Sequence, residues 1–247
     1  MQAYTAAIGL SVLGSFGGLL TASAFLLLGE SIRARVVHWA ISYAVGTLLG
    51  VALLALLPEA LAHLPPTNAL GTLLAGVLTF FLLEKLVLWR HCHDDAGHEC
   101  EVHTSSAASL VIIGDAFHTF VDGAIIAAAV VTSIPLGITT ALAVAAHEIP
   151  QEVGDVAILL RAGYSRTRAL TLNILAGLGG VLGAVAMLMA SQTVPLALPY
   201  VLAFAAGHFL YIAMADLIPD LHRGNVEGGA FRQMALICAG IVTIVLL

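Results

Sequence analysis

Charge is what this chain of 247 residues lacks most: Asp, Glu, Lys and Arg together make up 10% of it, against roughly 25% in a soluble globular domain. Set beside 60% hydrophobic residues and a mean hydropathy of +1.02, that shortage excludes an ordinary water-soluble fold. Cysteine is sparse too, and Cys92, Cys100 and Cys238 are too scattered for a disulfide framework. No Lys or Arg precedes the first apolar run, and the first charge is Glu30. A cleavable signal peptide is therefore not expected, and the first span should be retained as a membrane helix. No phosphate-binding loop is visible, and no nucleic-acid partner is expected. The net charge of -6 says little, because most acids lie inside apolar segments or crowd one loop.

What is present is a series of long apolar runs. A hydrocarbon core about 30 Å thick needs roughly 20 apolar residues of helix. Runs of that kind lie near 5–28, 36–57, 69–89, 106–131, 135–160, 168–190, 195–217 and 230–247. They predict an all-α membrane protein of eight transmembrane helices forming one transmembrane domain over 1–247. Pro135 suits the first turn of helix 5. All nine Lys and Arg fall in or beside the odd-numbered loops: Arg33, Arg35, Lys85, Arg90, Arg161, Arg166, Arg168, Arg223 and Arg232. Cytoplasmic loops are enriched in these residues, so both termini are expected outside, in a multi-pass plasma or inner membrane protein.

A repeat runs through the chain. Helix 2 carries Gly46 and then Leu57-Pro58-Glu59, and helix 7 carries Gly207 and then Ile218-Pro219-Asp220, with a Gly-to-Pro spacing of twelve in both. The two helices run in opposite directions, as a 3+2+3 inverted-repeat transporter requires. The loop over 90–105 differs from everything else. Residues 90–103 hold four His, two Cys and four acids, all ligand types for zinc-like ions. Their spacing matches no closed structural site, so His91, His93, His98 and His103 are expected in a flexible, weakly binding cytoplasmic segment.

Ionisable side chains inside a bilayer are expensive and are functional candidates by default. In helix 4, Asp115, His118 and Asp122 stand at i, i+3 and i+7 and share one face. In helix 5, His147 and Gln151 form one stripe, and Glu148, Glu152 and Asp155 an adjacent one. Pro150 withdraws a backbone N–H and predicts a kink there. Five carboxylates cannot stay buried without positive charge, and no Lys or Arg lies between Arg90 and Arg161. A divalent cation or shared protons must supply it. Imidazole mixed with carboxylate suits Zn²⁺, with Fe²⁺, Mn²⁺, Co²⁺ or Cd²⁺ admissible by the same chemistry.

The segments His118-Thr119-Phe120-Val121-Asp122-Gly123 and His147-Glu148-Ile149-Pro150-Gln151-Glu152-Val153-Gly154-Asp155 resemble the signature of the ZIP metal transporters. The LIV-1 branch, which reads His-Asn-x-x-Asp-Gly and His-Glu-x-Pro-His-Glu-x-Gly-Asp, is the nearest. Gly207-His208-Phe209-Leu210-Tyr211-Ile212-Ala213, Asp216-Leu217-Ile218-Pro219-Asp220-Leu221-His222 and Leu56-Leu57-Pro58-Glu59-Ala60 also resemble that family. The resemblance implies a primary transport site of His118, His147 and Gln151. It implies an adjoining second site with Thr119, Asp122 and Glu148, which Gln151 also faces and Asn173 approaches. Glu152 joins these as a metal-site candidate. Thr119 stands where the family usually has Asn, and Gln151 where the branch usually has His; both are poorer ligands. Val51 and Ala55 occupy places often polar in the family, which implies a drier entrance.

The resemblance further implies zinc as transported substrate, moving from outside into the cytoplasm. It implies an elevator in which helices 1, 4, 5 and 6 slide against helices 2, 3, 7 and 8. The loop histidines would receive the released ion, and a homodimer is compatible with this reading. One rival is an intramembrane zinc protease, since His147-Glu148 opens like H-E-x-x-H. Gln151 stands where that motif needs its second His, and Pro150 interrupts its helix. The other rival is a metal-sensing receptor without flux.

Overall fold

The computed structural model describes residues 2–25, 30–92, 102–223 and 229–247. Its helices, in chain order, are α1 (Gln2–Phe25), α2 (Glu30–Gly50, continuing through Val51–Leu56 and Leu57–His63), α3 (Pro66–Cys92) and α4 (Val102–Thr132). They are followed by α5 (Ile134–Arg161), α6 (Arg166–Thr193), α7 (Leu198–Tyr211, continuing through Ile212–Leu217 and Ile218–Arg223) and α8 (Gly229–Leu246). No strand occurs among the described residues. The architecture is the all-α membrane fold expected from the apolar runs, and among the described residues 6 helices are long and apolar enough to cross a bilayer. Helix α5 is not one of them, because His147, Glu148, Gln151 and Glu152 interrupt its apolar run.

Local sequence sets the helix boundaries. Ser133 caps α5 by accepting the Leu136 N–H at 3.3 Å, with Pro135 in the first turn. Ser165 caps α6 in the same way, accepting from Arg168 at 3.3 Å. Between them Gly163 takes φ 85°, a conformation that a residue with a Cβ rarely adopts. Helix α5 continues through Pro150 as one helix.

The repeat seen as a Gly-to-Pro spacing has a structural counterpart. Both α2 and α7 widen to a six-residue π-helical stretch, Val51–Leu56 and Ile212–Leu217, ending one residue before Leu57-Pro58 and Ile218-Pro219. The Leu57 N–H donates back to the Ala52 carbonyl and the Ile218 N–H to the Ala213 carbonyl. Proline has no N–H to give, and an i→i+5 turn re-routes the carbonyls it strands. The same solution stands at the same place in both halves.

Packing repeats the pattern with partners exchanged. Helix α2 lies against α8, where Gly46 and Gly240 bring the backbones together, and α7 lies against α3 through Gly207 and Gly76. Such small-residue seams let membrane helices approach closely enough for dispersion to hold them. Helices α1, α4, α5 and α6 form a second group, with α4 on α6 its most extensive seam. The two groups meet where α2 lies along α5 and α7 touches α4.

Candidate metal centre

Helices α4 and α5 carry the polar residues to their shared seam. The His147 Nδ1 lies 3.1 Å from the Ala143 carbonyl one turn back. A carbonyl only accepts, so Nδ1 carries the proton and the Nε2 lone pair faces the seam. That lone pair meets two atoms from α4. His118 Nε2 is 3.1 Å away, and Asp122 Oδ2 is 3.1 Å away. His118 Nε2 and Asp122 Oδ2 are 3.4 Å apart.

These three separations have a simple meaning. Ligands at 2.0–2.1 Å from a tetrahedral zinc ion stand about 3.3 Å from one another. The two imidazole nitrogens and the carboxylate oxygen thus trace one face of a zinc tetrahedron. Glu148 supplies a fourth group, since donor atoms of His118, Asp122, His147 and Glu148 all lie within 4.8 Å of one another. His147, Glu148 and Asp122 are buried, and His118 is half-buried.

Hydrogen bonding leaves this site short of partners. Asp122 Oδ2, both Glu148 carboxylate oxygens, Glu152 Oε2 and Asp115 Oδ2 are buried without a hydrogen bond, as are both amide atoms of Asn173 in α6. Buried polar groups are ordinarily paired, and an unpaired buried carboxylate costs several kcal/mol. A cation offsets that cost, and the donor set of imidazole and carboxylate is a zinc-type set.

The other expected site residues take different partners. Thr119 donates its hydroxyl to the Asp115 backbone carbonyl at 2.7 Å, and Gln151 donates its amide to Asp115 Oδ1 at 3.3 Å. Gln151 thus tethers the carboxylate one turn below His118, and Thr119 reaches the same Oδ1 only at 3.5 Å. His93 and His98 lie outside the described residues, and His91 and His103 sit at helix ends whose side chains are likewise outside them. One polar residue near the centre escaped the sequence reading. His208 of α7 is fully buried, and its Nε2 lies 3.3 Å from Asp122 Oδ1. The signal was an ionisable side chain in the apolar run of helix 7, subject to the rule applied to helices 4 and 5.

A multi-pass helical protein with a buried imidazole–carboxylate cluster on adjoining membrane helices is, by class, a membrane protein that handles transition-metal ions. A family model described as ZIP Zinc transporter matches residues 89–247. The chain is 36% identical over 240 residues to zinc transporter ZIP13 of Pongo abelii, covering 90% of this chain and 71% of that protein. It is 32% identical over 275 residues to zinc transporter ZIP13 of Homo sapiens, covering 90% and 74%. It is 38% identical over 132 residues to zinc transporter foi of Drosophila melanogaster, covering 53% and 19%. The chain belongs to the ZIP zinc transporter family, and is a metal transporter rather than an enzyme.

Proposed function

We propose that this protein carries zinc inward across a plasma or inner membrane, from the outside to the cytoplasm, through the centre between α4 and α5. The observation that carries the proposal is the triangle of His118 Nε2, His147 Nε2 and Asp122 Oδ2, with edges of 3.1, 3.1 and 3.4 Å. Glu148 and Asp122 extend this centre toward a second, adjoining site to which Thr119, Gln151, Glu152 and Asn173 contribute. Fe²⁺, Mn²⁺, Co²⁺ and Cd²⁺ are accepted by the same donors in principle, and zinc is named first because the relatives are zinc transporters.

The packing supports a sliding movement. Helices α1, α4, α5 and α6 make one body, and α2 with α8 and α3 with α7 flank it. Sliding of the first group along α2 and α7 would carry the centre across the membrane. The distribution of Lys and Arg supports cytoplasmic odd loops and outside termini. A divalent ion moving inward then gains about 4.6 kcal/mol per 100 mV of inside-negative potential, enough to drive accumulation without ATP. The loop over 90–105 receives the ion on release.

The test is zinc uptake into liposomes holding the purified protein and an internal zinc-sensitive dye. Uptake that rises with an imposed inside-negative potential supports the reading. Zinc that binds the purified protein but never enters the lumen overturns it and leaves a receptor.

A further inference from the structure

His208 does not belong to the metal-bearing pair of helices, yet it touches their central carboxylate. Its Nε2 lies 3.3 Å from Asp122 Oδ1. The carboxylate can only accept, so the imidazole donates. The opposite oxygen, Oδ2, faces His118 and His147. Asp122 is therefore gripped on one oxygen by α7 while it offers the other to the metal.

The ring has little freedom to do anything else. It lies against Phe80 of α3, with centroids 3.6 Å apart and planes 36° apart, and is flanked by Phe209 at 5.5 Å. The Gly207–Gly76 seam draws α3 and α7 together one residue from His208 and one turn from Phe80. The far nitrogen, Nδ1, is buried without a partner. An unsatisfied buried acceptor costs about 1–3 kcal/mol, which an apolar side chain would avoid, so packing alone does not account for histidine here. The set of donor atoms within 4.8 Å of one another is His118, Asp122, His147 and Glu148, and His208 is outside it.

We propose that His208 is a positioning residue that aligns Asp122 for metal from across the boundary between the two helix groups. The role rests on the centre described above as the metal site. The grip exists in this packing of α7 on α4 and would be lost if the metal-bearing group slid along α7, so metal affinity would differ between the two positions.

The test uses the purified full-length chain with Co²⁺ as a spectroscopic probe and Zn²⁺ in competition. His208→Phe keeps the stack on Phe80 and removes the donor, while His208→Gln keeps an N–H donor; His208→Leu stands in should the Phe variant fail to fold. The Phe variant should bind metal about 10–100-fold more weakly, the range for loss of an outer-shell hydrogen bond. Its Co²⁺ absorption bands should keep the parent's shape. His208→Gln should recover most of the affinity, and in liposomes the Phe variant should raise KM for zinc without lowering turnover. Unchanged affinity in the Phe variant overturns the proposal. So does a Gln variant no better than Phe, which would leave packing alone, and so does an altered Co²⁺ spectrum, which would make His208 a ligand. His147→Ala separates the two layers. Loss of binding in His147→Ala with none in His208→Phe overturns the His208 role alone. Full binding in His147→Ala overturns the centre itself.

Discussion

Substituting Gly183 by alanine tests whether the α4–α6 seam holds the metal centre in shape. A methyl on Gly183 would overlap the Phe120 carbonyl oxygen and stand 2.8 Å from its carbon and 3.1 Å from the Ala124 nitrogen. An ordinary close carbon–oxygen approach is about 3.3–3.6 Å, so α4 and α6 must part by an amount on the order of 1 Å. Overpacking of this kind costs about 1–3 kcal/mol. At about 2–4 °C per kcal/mol for a chain of this size, the unfolding midpoint in detergent should fall by about 2–12 °C. Phe120 stands between His118 and Asp122, so a shift of α4 also alters the two 3.1 Å edges that join it to His147 of α5. If about 1.4 kcal/mol of the cost falls on the bound state, zinc affinity drops about tenfold. Gly9→Ala is the control, since nothing lies within 4 Å of a Cβ there, and it should be neutral or stabilising. Thermal unfolding with and without zinc reads both variants. A Gly183→Ala protein with the parent's midpoint and affinity would refute the claim that this seam sets the centre's geometry.

Replacing His147 by Ala should abolish zinc uptake at equal surface expression, because it removes one corner of the triangle; near-normal uptake would remove His147 from the site. Gln151→His places an imidazole one turn from His147 and should tighten metal binding measured by calorimetry, since imidazole is a better zinc ligand than a carboxamide. Unchanged affinity would show that position 151 serves only to tether Asp115. Changing His91, His93, His98 and His103 together to Ser should alter initial uptake in liposomes modestly, whereas complete loss would make the loop an obligatory part of the path.

Much of the centre was legible because helical spacing and an apolar background coincide there. Helical spacing puts Asp115, His118 and Asp122 on one face, and an apolar background makes every ionisable residue stand out. Which residue of α4 meets which residue of α5 was not legible, because that depends on how the two helices cross. His147 and Gln151 share a stripe, yet His147 meets His118 and Asp122 while Gln151 meets Asp115. Spacing along one helix carries no information about the offset of its neighbour. The paired prolines marked the repeat, but not the π-helical stretches before them, which follow from where the stranded carbonyls find donors. The partner of His208 was not legible for a third reason. That partner, Asp122, is 86 residues away in sequence, and only the assembled fold brings the two together.

The exchange of partners between the halves dictates an order of assembly. Tyr43 of α2 donates to Thr243 of α8 across 200 residues of chain. At a synthesis rate of about 5–20 residues per second, α2 waits roughly 10–40 s in the bilayer before its companion exists, and α3 likewise waits for α7. Helices α4, α5 and α6 are consecutive and pack on one another and on the already inserted α1. Loop-closure entropy favours these near-neighbour pairings first. The group that bears the candidate ligands is therefore built before the flanking frame is complete. A nascent chain holds its imidazoles and carboxylates together while half of that frame has yet to be translated, and metal present at that stage would meet a formed ligand set with no second wall to close it.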